Sequence, residues 1–180
     1  RQLEMENLTT LITSPIHEQR LLALFILRLQ FEQADAEKQQ IIIDFYLNHL
    51  AGVNNWDLVD SSAHYLLGTW LLDKDTELLW RLANSGELWS QRIAVMSSFA
   101  FIKQGQFQLT LALAAHLLLH PHDLMHKAIG WMLREIGKRD LVTELAFLDT
   151  HYQQMPRTML RYAIEKLDEP LRQSYLQGAR

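Results

Sequence analysis

The sequence predicts an all-α fold: an α-solenoid of HEAT- or armadillo-like two-helix repeats with a concave groove. Three observations predict it. Glycines number 7 and prolines 4 in 180 residues, too few for a β chain full of tight turns. Leu, Ala, Gln and Glu abound, and β-branched runs are scarce apart from Ile41-Ile42-Ile43. Apolar residues recur at helical spacing between short breaks, and several of the resulting segments look alike.

Residues 1–12 read as a helix with Leu3, Leu8, Leu11 and Ile12 inward. Thr13-Ser14-Pro15 stops it and starts the next, with Ser14 as N-cap and Pro15 at the first helical position. That helix runs to about Gln33 and turns Leu21, Leu24, Phe25 and Leu29 inward. Asp35 caps a third, which carries Ile42, Phe45, Tyr46 and Leu50 and is broken by Gly52. A fourth opens near Trp56 behind Asn54 and Asn55, both N-cap types, and runs to about Leu72 with Val59, Ala63, Leu66, Leu67 and Trp70 on its apolar face. A short helix covers roughly 75–83 and ends near Asn84-Ser85-Gly86. The next spans 88–103 and stops at Gly105, and 106–119 ends at His120-Pro121. Residues 123–137 form a helix ended by Gly137, with Leu124, Ala128, Met132 and Ile136 as one stripe and Trp131 at its edge. Helices near 140–151, 156–167 and 169–177 finish the chain.

The length suits a single domain, 1–180, with a well-buried core. Apolar residues at 48% and charged residues at 21% are those of an ordinary soluble protein. Without cysteine there are no disulfides or thiolate metal sites. No apolar run reaches the roughly 18 residues of a membrane helix. The chain begins with Arg1 and shows no signal peptide, so its natural N-terminus is expected to be absent. A net charge of −4 counts against strong non-specific DNA binding, although a basic stripe needs only local asymmetry.

Five segments align: Ser14 to Leu27, Asn54 to Leu67, Glu87 to Phe99, His122 to Glu135, and Gln154 to Leu167. Taking Arg20, Asp60, Arg92, Lys127 and Met159 as equivalent gives spacings of 40, 32, 35 and 32 residues, which fit two-helix units. Stacked units would line these positions along one face, mostly basic with a single acid. Asp60 would be a liability in a groove that only holds phosphates. It makes sense if something cationic develops or binds opposite it. Trp56 lies four residues earlier, on the same helix face. A carboxylate beside an indole suits a site that stabilises a cation, provided the acid stays open to solvent. Capping explains Asp57, which complements the helix dipole, better than it explains Asp60.

His116, His120, His122 and His126 have the look of a metal cluster. Pro121 breaks the helix between the two pairs, and histidine near helix ends is favourable without a metal, so none is expected. His64, one turn beyond Asp60, reads as a solvated surface residue or a hydrogen-bonding neighbour of the site.

Over essentially its whole length the chain resembles the AlkD-type DNA alkylation repair glycosylases, bacterial enzymes of HEAT-like repeats. The likeness rests on Trp56-Asp57-Leu58-Val59-Asp60, Trp89-Ser90-Gln91-Arg92, Lys127-Ala128-Ile129-Gly130-Trp131-Met132-Leu133-Arg134-Glu135 and Pro156-Arg157-Thr158-Met159-Leu160-Arg161-Tyr162-Ala163. The family removes positively charged N3- and N7-alkylpurines from duplex DNA. The resemblance implies that Asp60 is the catalytic aspartate and that Trp56 and Trp131 pack against the deoxyribose of the lesion. It implies that Arg92 holds the backbone there, and that Lys127, Arg134 and Arg161 hold phosphates. Members usually carry further N-terminal helices and more positive charge than this chain. The resemblance further implies a cytoplasmic monomer that acts on alkylated duplex DNA through an open groove, without cofactor, metal, membrane or deep base pocket. The competing expectation is a non-catalytic repeat scaffold that binds DNA or protein, since helical arrays are mostly binding surfaces.

Overall fold

The computed structural model describes residues 5–180, and every regular element among them is helical. The expected inward position of Leu3 lies outside the described residues. Helix α1 (Met5–Ile12) buries Leu8 and Ile12 against α2 (His17–Gln33). The second helix starts two residues later than the Ser14-Pro15 signal suggests. Ile16 occupies the cap position, and the Ser14 hydroxyl instead accepts the Ile16 N–H at 3.0 Å, holding a turn ahead of the helix. The buried stripe of α2 is Ala23, Leu24, Leu27, Gln30 and Phe31. Phe25 and Leu29, expected inside, are 42% and 56% exposed. Their four-residue spacing marks a stripe rotated away from the one that meets the core.

Helix α3 (Ala36–Asn48) is capped as predicted: Asp35 accepts the Lys38 N–H. A 3-10 turn at Leu50–Gly52 follows. The Trp56 helix does not run unbroken to Leu72. It stops as α4 (Trp56–Asp60), passes a turn and continues as a π-helical turn at His64–Gly68. The cause is local. Ser62 turns its hydroxyl back to the Leu58 carbonyl at 2.6 Å, and Ser61 does so at 3.3 Å, a contact that bends helices. The Gly68 N–H then reaches five residues back to Ala63. A Cβ on Gly68 would lie 2.3 Å from the Ser97 carbonyl oxygen, so glycine lets this segment press on the next long helix.

Helix α5 (Glu77–Ala83) leads to α6 (Leu88–Ser97), which α7 (Phe99–Lys103) extends after an interruption at Ser98, whose hydroxyl bonds back to the Val95 carbonyl. Helices α8 (Gln108–His116), α9 (Asp123–Gly137), α10 (Leu141–His151), α11 (Arg157–Ala163) and α12 (Glu169–Gln177) complete the chain. Successive contacts run α2 to α4, α4 to α6, α6 to α9 and α9 to α11. These five helices therefore lie side by side, with the apolar core extending behind them. The predicted stripe of α9 is realised: Ala128, Met132 and Ile136 are fully buried and Leu124 partly so. No helix among the described residues is long and apolar enough to cross a membrane.

Candidate active site

A groove of about 320 Å³ opens across α4, α6, α9 and α11, lined by Trp56, Asp60, Arg92, Leu124, Lys127, Trp131 and Tyr162. The α4 end of it is built by caps. Asn55 accepts the Trp56 N–H at 2.7 Å, and Asp57 pairs with His17 at 2.7 Å, tying α4 to the start of α2. Arg20 bonds the Ser14 carbonyl and Asn54, so it braces this junction and does not line the groove. Trp56 is left 52% exposed, with its indole available to a ligand.

Asp60 differs from expectation. Its side chain is only 15% exposed, and both carboxylate oxygens are engaged by Arg92: Nε at 3.0 Å and one terminal nitrogen at 2.8 Å. The other terminal nitrogen bonds the Leu124 carbonyl at 2.5 Å. The reason is helix neighbourhood: Gly68 draws the α4 segment onto α6, and a 5% exposed guanidinium there requires an anion. Burial pushes the Asp60 carboxyl above the ordinary aspartate value, against the pull of Arg92. Arg92 thus spends three of its five N–H donors inside the protein.

Across the groove, Lys127 reaches Asp123 at 2.8 Å, four residues earlier on α9. Trp131 donates to Glu135 at 3.3 Å and sits 6.2 Å from the Phe99 ring. Gly130 brings α11 close: a Cβ there would lie 2.5 Å from the Met159 carbonyl oxygen and 2.6 Å from the Tyr162 Cβ. That approach carries Tyr162 into the lining. Sequence reasoning missed this residue, although a glycine in mid-helix beside Trp131 is the signal that could have found it. Met159 itself is fully buried, so the fifth aligned position contributes core and no groove residue.

Five predicted residues therefore meet: Trp56, Asp60, Arg92, Lys127 and Trp131. Two do not join them. Arg134 pairs with Glu165 and lines a different cavity, of about 430 Å³, and exposed Arg161 is not among the lining residues. Residues three apart on a helix diverge by about 60°, which suffices to send Arg134 round the corner from Trp131. His64 is neither solvated nor bonded to Asp60. It is 6% exposed, its ring tilted against that of Tyr65 with 3.8 Å between ring centres, and burial drives its pKa down to about 3. The four clustered histidines spend ring nitrogens locally. His116 meets Asn84, His120 meets Gln91, His122 accepts the Leu124 N–H and His126 meets the His120 carbonyl.

A family model described as DNA alkylation repair enzyme matches residues 2–167. Neither the curated proteins nor the solved structures give a match.

Proposed function

Because the chain belongs to the DNA alkylation repair enzymes, we propose that it is a DNA glycosylase that excises positively charged N3- and N7-alkylpurines from duplex DNA. Alkylation at these nitrogens makes the base a cation, which leaves as a neutral purine and needs little acid catalysis. As the glycosidic bond breaks, the deoxyribose becomes oxocarbenium-like. An ionised carboxylate beside C1′ stabilises that charge. The single observation that carries this reading is the convergence of Asp60 with Trp56 and Trp131 on one open groove.

The Arg92 fork gives this reading a specific form. A carboxylate has about four lone-pair sites, and Arg92 takes two, so two remain for the sugar cation or its attacking water. The fork fixes the plane of the carboxylate and favours its ionised form despite burial. The indoles of Trp56 and Trp131 offer π-faces to the electron-poor sugar, while Lys127 and the groove rim hold phosphates, which position the duplex without reading sequence. The open groove suits a lesion approached from its backbone side, with no extruded base.

The test is release of 7-methylguanine from methylated duplex DNA. Wild type should release it, and Asp60→Asn should lose roughly 100-fold or more in rate, the size of a lost electrostatic contact to a transition state. The Asp60–Arg92 pair also suits a second reading, a structural tie in a non-catalytic scaffold. Equal, background release by wild type and variant would establish that one.

A further inference from the structure

The two indoles of the groove are held very differently. Trp56 is 52% exposed, and its ring N–H has no partner among the described residues. Trp131 is partly buried, and its ring N–H donates to the Glu135 carboxylate at 3.3 Å, one turn further along α9. Phe99 flanks the same indole from α7, with 6.2 Å between ring centres and the planes tilted by 49°. Glu135 is itself fixed. It is 7% exposed. Lys138 donates at 2.5 Å to the oxygen that Trp131 uses, and Arg139 donates to the other at 3.0 Å. Arg139 also reaches the Glu135 main-chain carbonyl at 2.8 Å, which closes the end of α9. Burial works to raise the Glu135 pKa, but the hydrogen bonds from Lys138, Arg139 and Trp131 outweigh it and hold the carboxyl below the ordinary glutamate value. An ionised carboxylate only accepts, so the indole N–H keeps its acceptor at neutral pH.

The two ion pairs account for a carboxylate buried at this place, and they do not require Trp131. What the third bond fixes is the ring. The torsion that turns an aromatic ring about its Cβ–Cγ bond is broad, so a partly buried indole on a groove wall can turn either its face or its edge to a ligand. Face and edge are not equivalent to a cation. The face is negative and attracts it, and the edge is positive and repels it. A ring N–H tied to a rigid acceptor leaves the indole one orientation. Glu135 does not line the groove, so it acts there only through Trp131. We propose that Glu135 is a positioning residue, which locks the Trp131 indole in the orientation that the groove uses against the sugar turning positive beside Asp60. The inference rests on the glycosylase reading above and adds to it the residue that aims one of its two indoles.

The test reads the indole and the rate separately. In a nitrogen–proton correlation spectrum, the Trp131 ring N–H is identified as the cross-peak lost in Trp131→Phe. Glu135→Leu should move that cross-peak upfield and speed its exchange with solvent. Glu135→Gln keeps an acceptor oxygen and should move it less. In single-turnover release of 7-methylguanine at saturating protein, Glu135→Leu should slow excision about threefold to tenfold, the misdirected share that loss of one hydrogen bond permits, with duplex binding within about twofold of wild type. Glu135→Gln should recover most of the rate. Lys138→Gln breaks an ion pair of Glu135 but leaves the indole its acceptor, and should stay near wild type in both readouts. In the Trp131→Phe background, Glu135→Leu should slow excision no further. Glu135→Ala supplies the same readings should the leucine variant not fold. An unmoved cross-peak, an unchanged rate, or a loss that persists in the Trp131→Phe background each overturns the proposal. No release by the wild type, with the cross-peak shifted in Glu135→Leu, removes the glycosylase and leaves the hold on the indole.

Discussion

Two buried carboxyls, Asp60 and Glu144, each lie near an arginine, and the two arginines treat them differently. Arg92 presents its fork, so both Asp60 oxygens are bonded. Arg134 turns instead to Glu165 and acts on Glu144 only through space. Glu144 is 2% exposed, its Oε1 has no partner, and its carboxyl fills the space where a Cβ on Gly137 would stand. Its pKa is pushed up to about 8 by burial. The Arg134 Nε is likewise buried without a partner. Proximity of a cation alone therefore does not offset burial at Glu144, whereas direct hydrogen bonds from Arg92 to both oxygens oppose it at Asp60. The groove holds an acid engaged on both oxygens, and the Arg134 cavity holds one that is mostly protonated at neutral pH.

The sharpest break of this contrast is Asp60→Ala. It strands the Arg92 guanidinium, 5% exposed, with only the Leu124 carbonyl for company. Removing one partner of a buried pair costs about 3–5 kcal/mol, which chemical denaturation should register as a large drop in midpoint. A loss under about 1 kcal/mol would mean that the pair is solvated and that the fork does not hold Asp60.

A smaller effect of opposite sign is expected at Glu144. Its folded-state pKa lies above the ordinary 4.5, so the folded protein holds a proton that the unfolded chain releases. Wild-type stability should fall as pH rises from about 4.5 to about 8. Glu144→Gln cannot ionise and escapes that loss. Its melting temperature should exceed wild type by several degrees at pH 8 and by little at pH 5, as about 1 kcal/mol shifts a domain of this size by about 2–4 °C. Parallel curves across that range would place Glu144 in contact with solvent.

The same contrast separates what the sequence could disclose from what it could not. Helix positions were legible because apolar spacing and caps such as Asp35 and Asn55 are local. Asp60, Arg92 and Lys127 could be placed on one face because aligned segments put equivalent residues on equivalent turns, Trp56 followed from its four-residue spacing to Asp60, and Trp131 came from the family resemblance. The pairing of Asp60 was not legible, because it depends on how closely two helices pack, and that approach, seen at Gly68 against Ser97, joins segments about thirty residues apart in the chain. Arg134 was assigned to the groove for the same reason: nothing local announces Glu165 as its partner. The interruption after Asp60 was signalled weakly, by the Ser61-Ser62 pair, whose back-bonding competes with the regular helix.

The central claim is that an ionised Asp60, held by Arg92, carries the chemistry. Single-turnover release of 7-methylguanine against pH, corrected for uncatalysed loss, tests it most directly. The rate should fall on the acid side with a midpoint above the ordinary aspartate value of 3.8, and Arg92→Gln should move that midpoint higher still. A flat profile, or an acid limb that persists unchanged in Asp60→Asn, would contradict it.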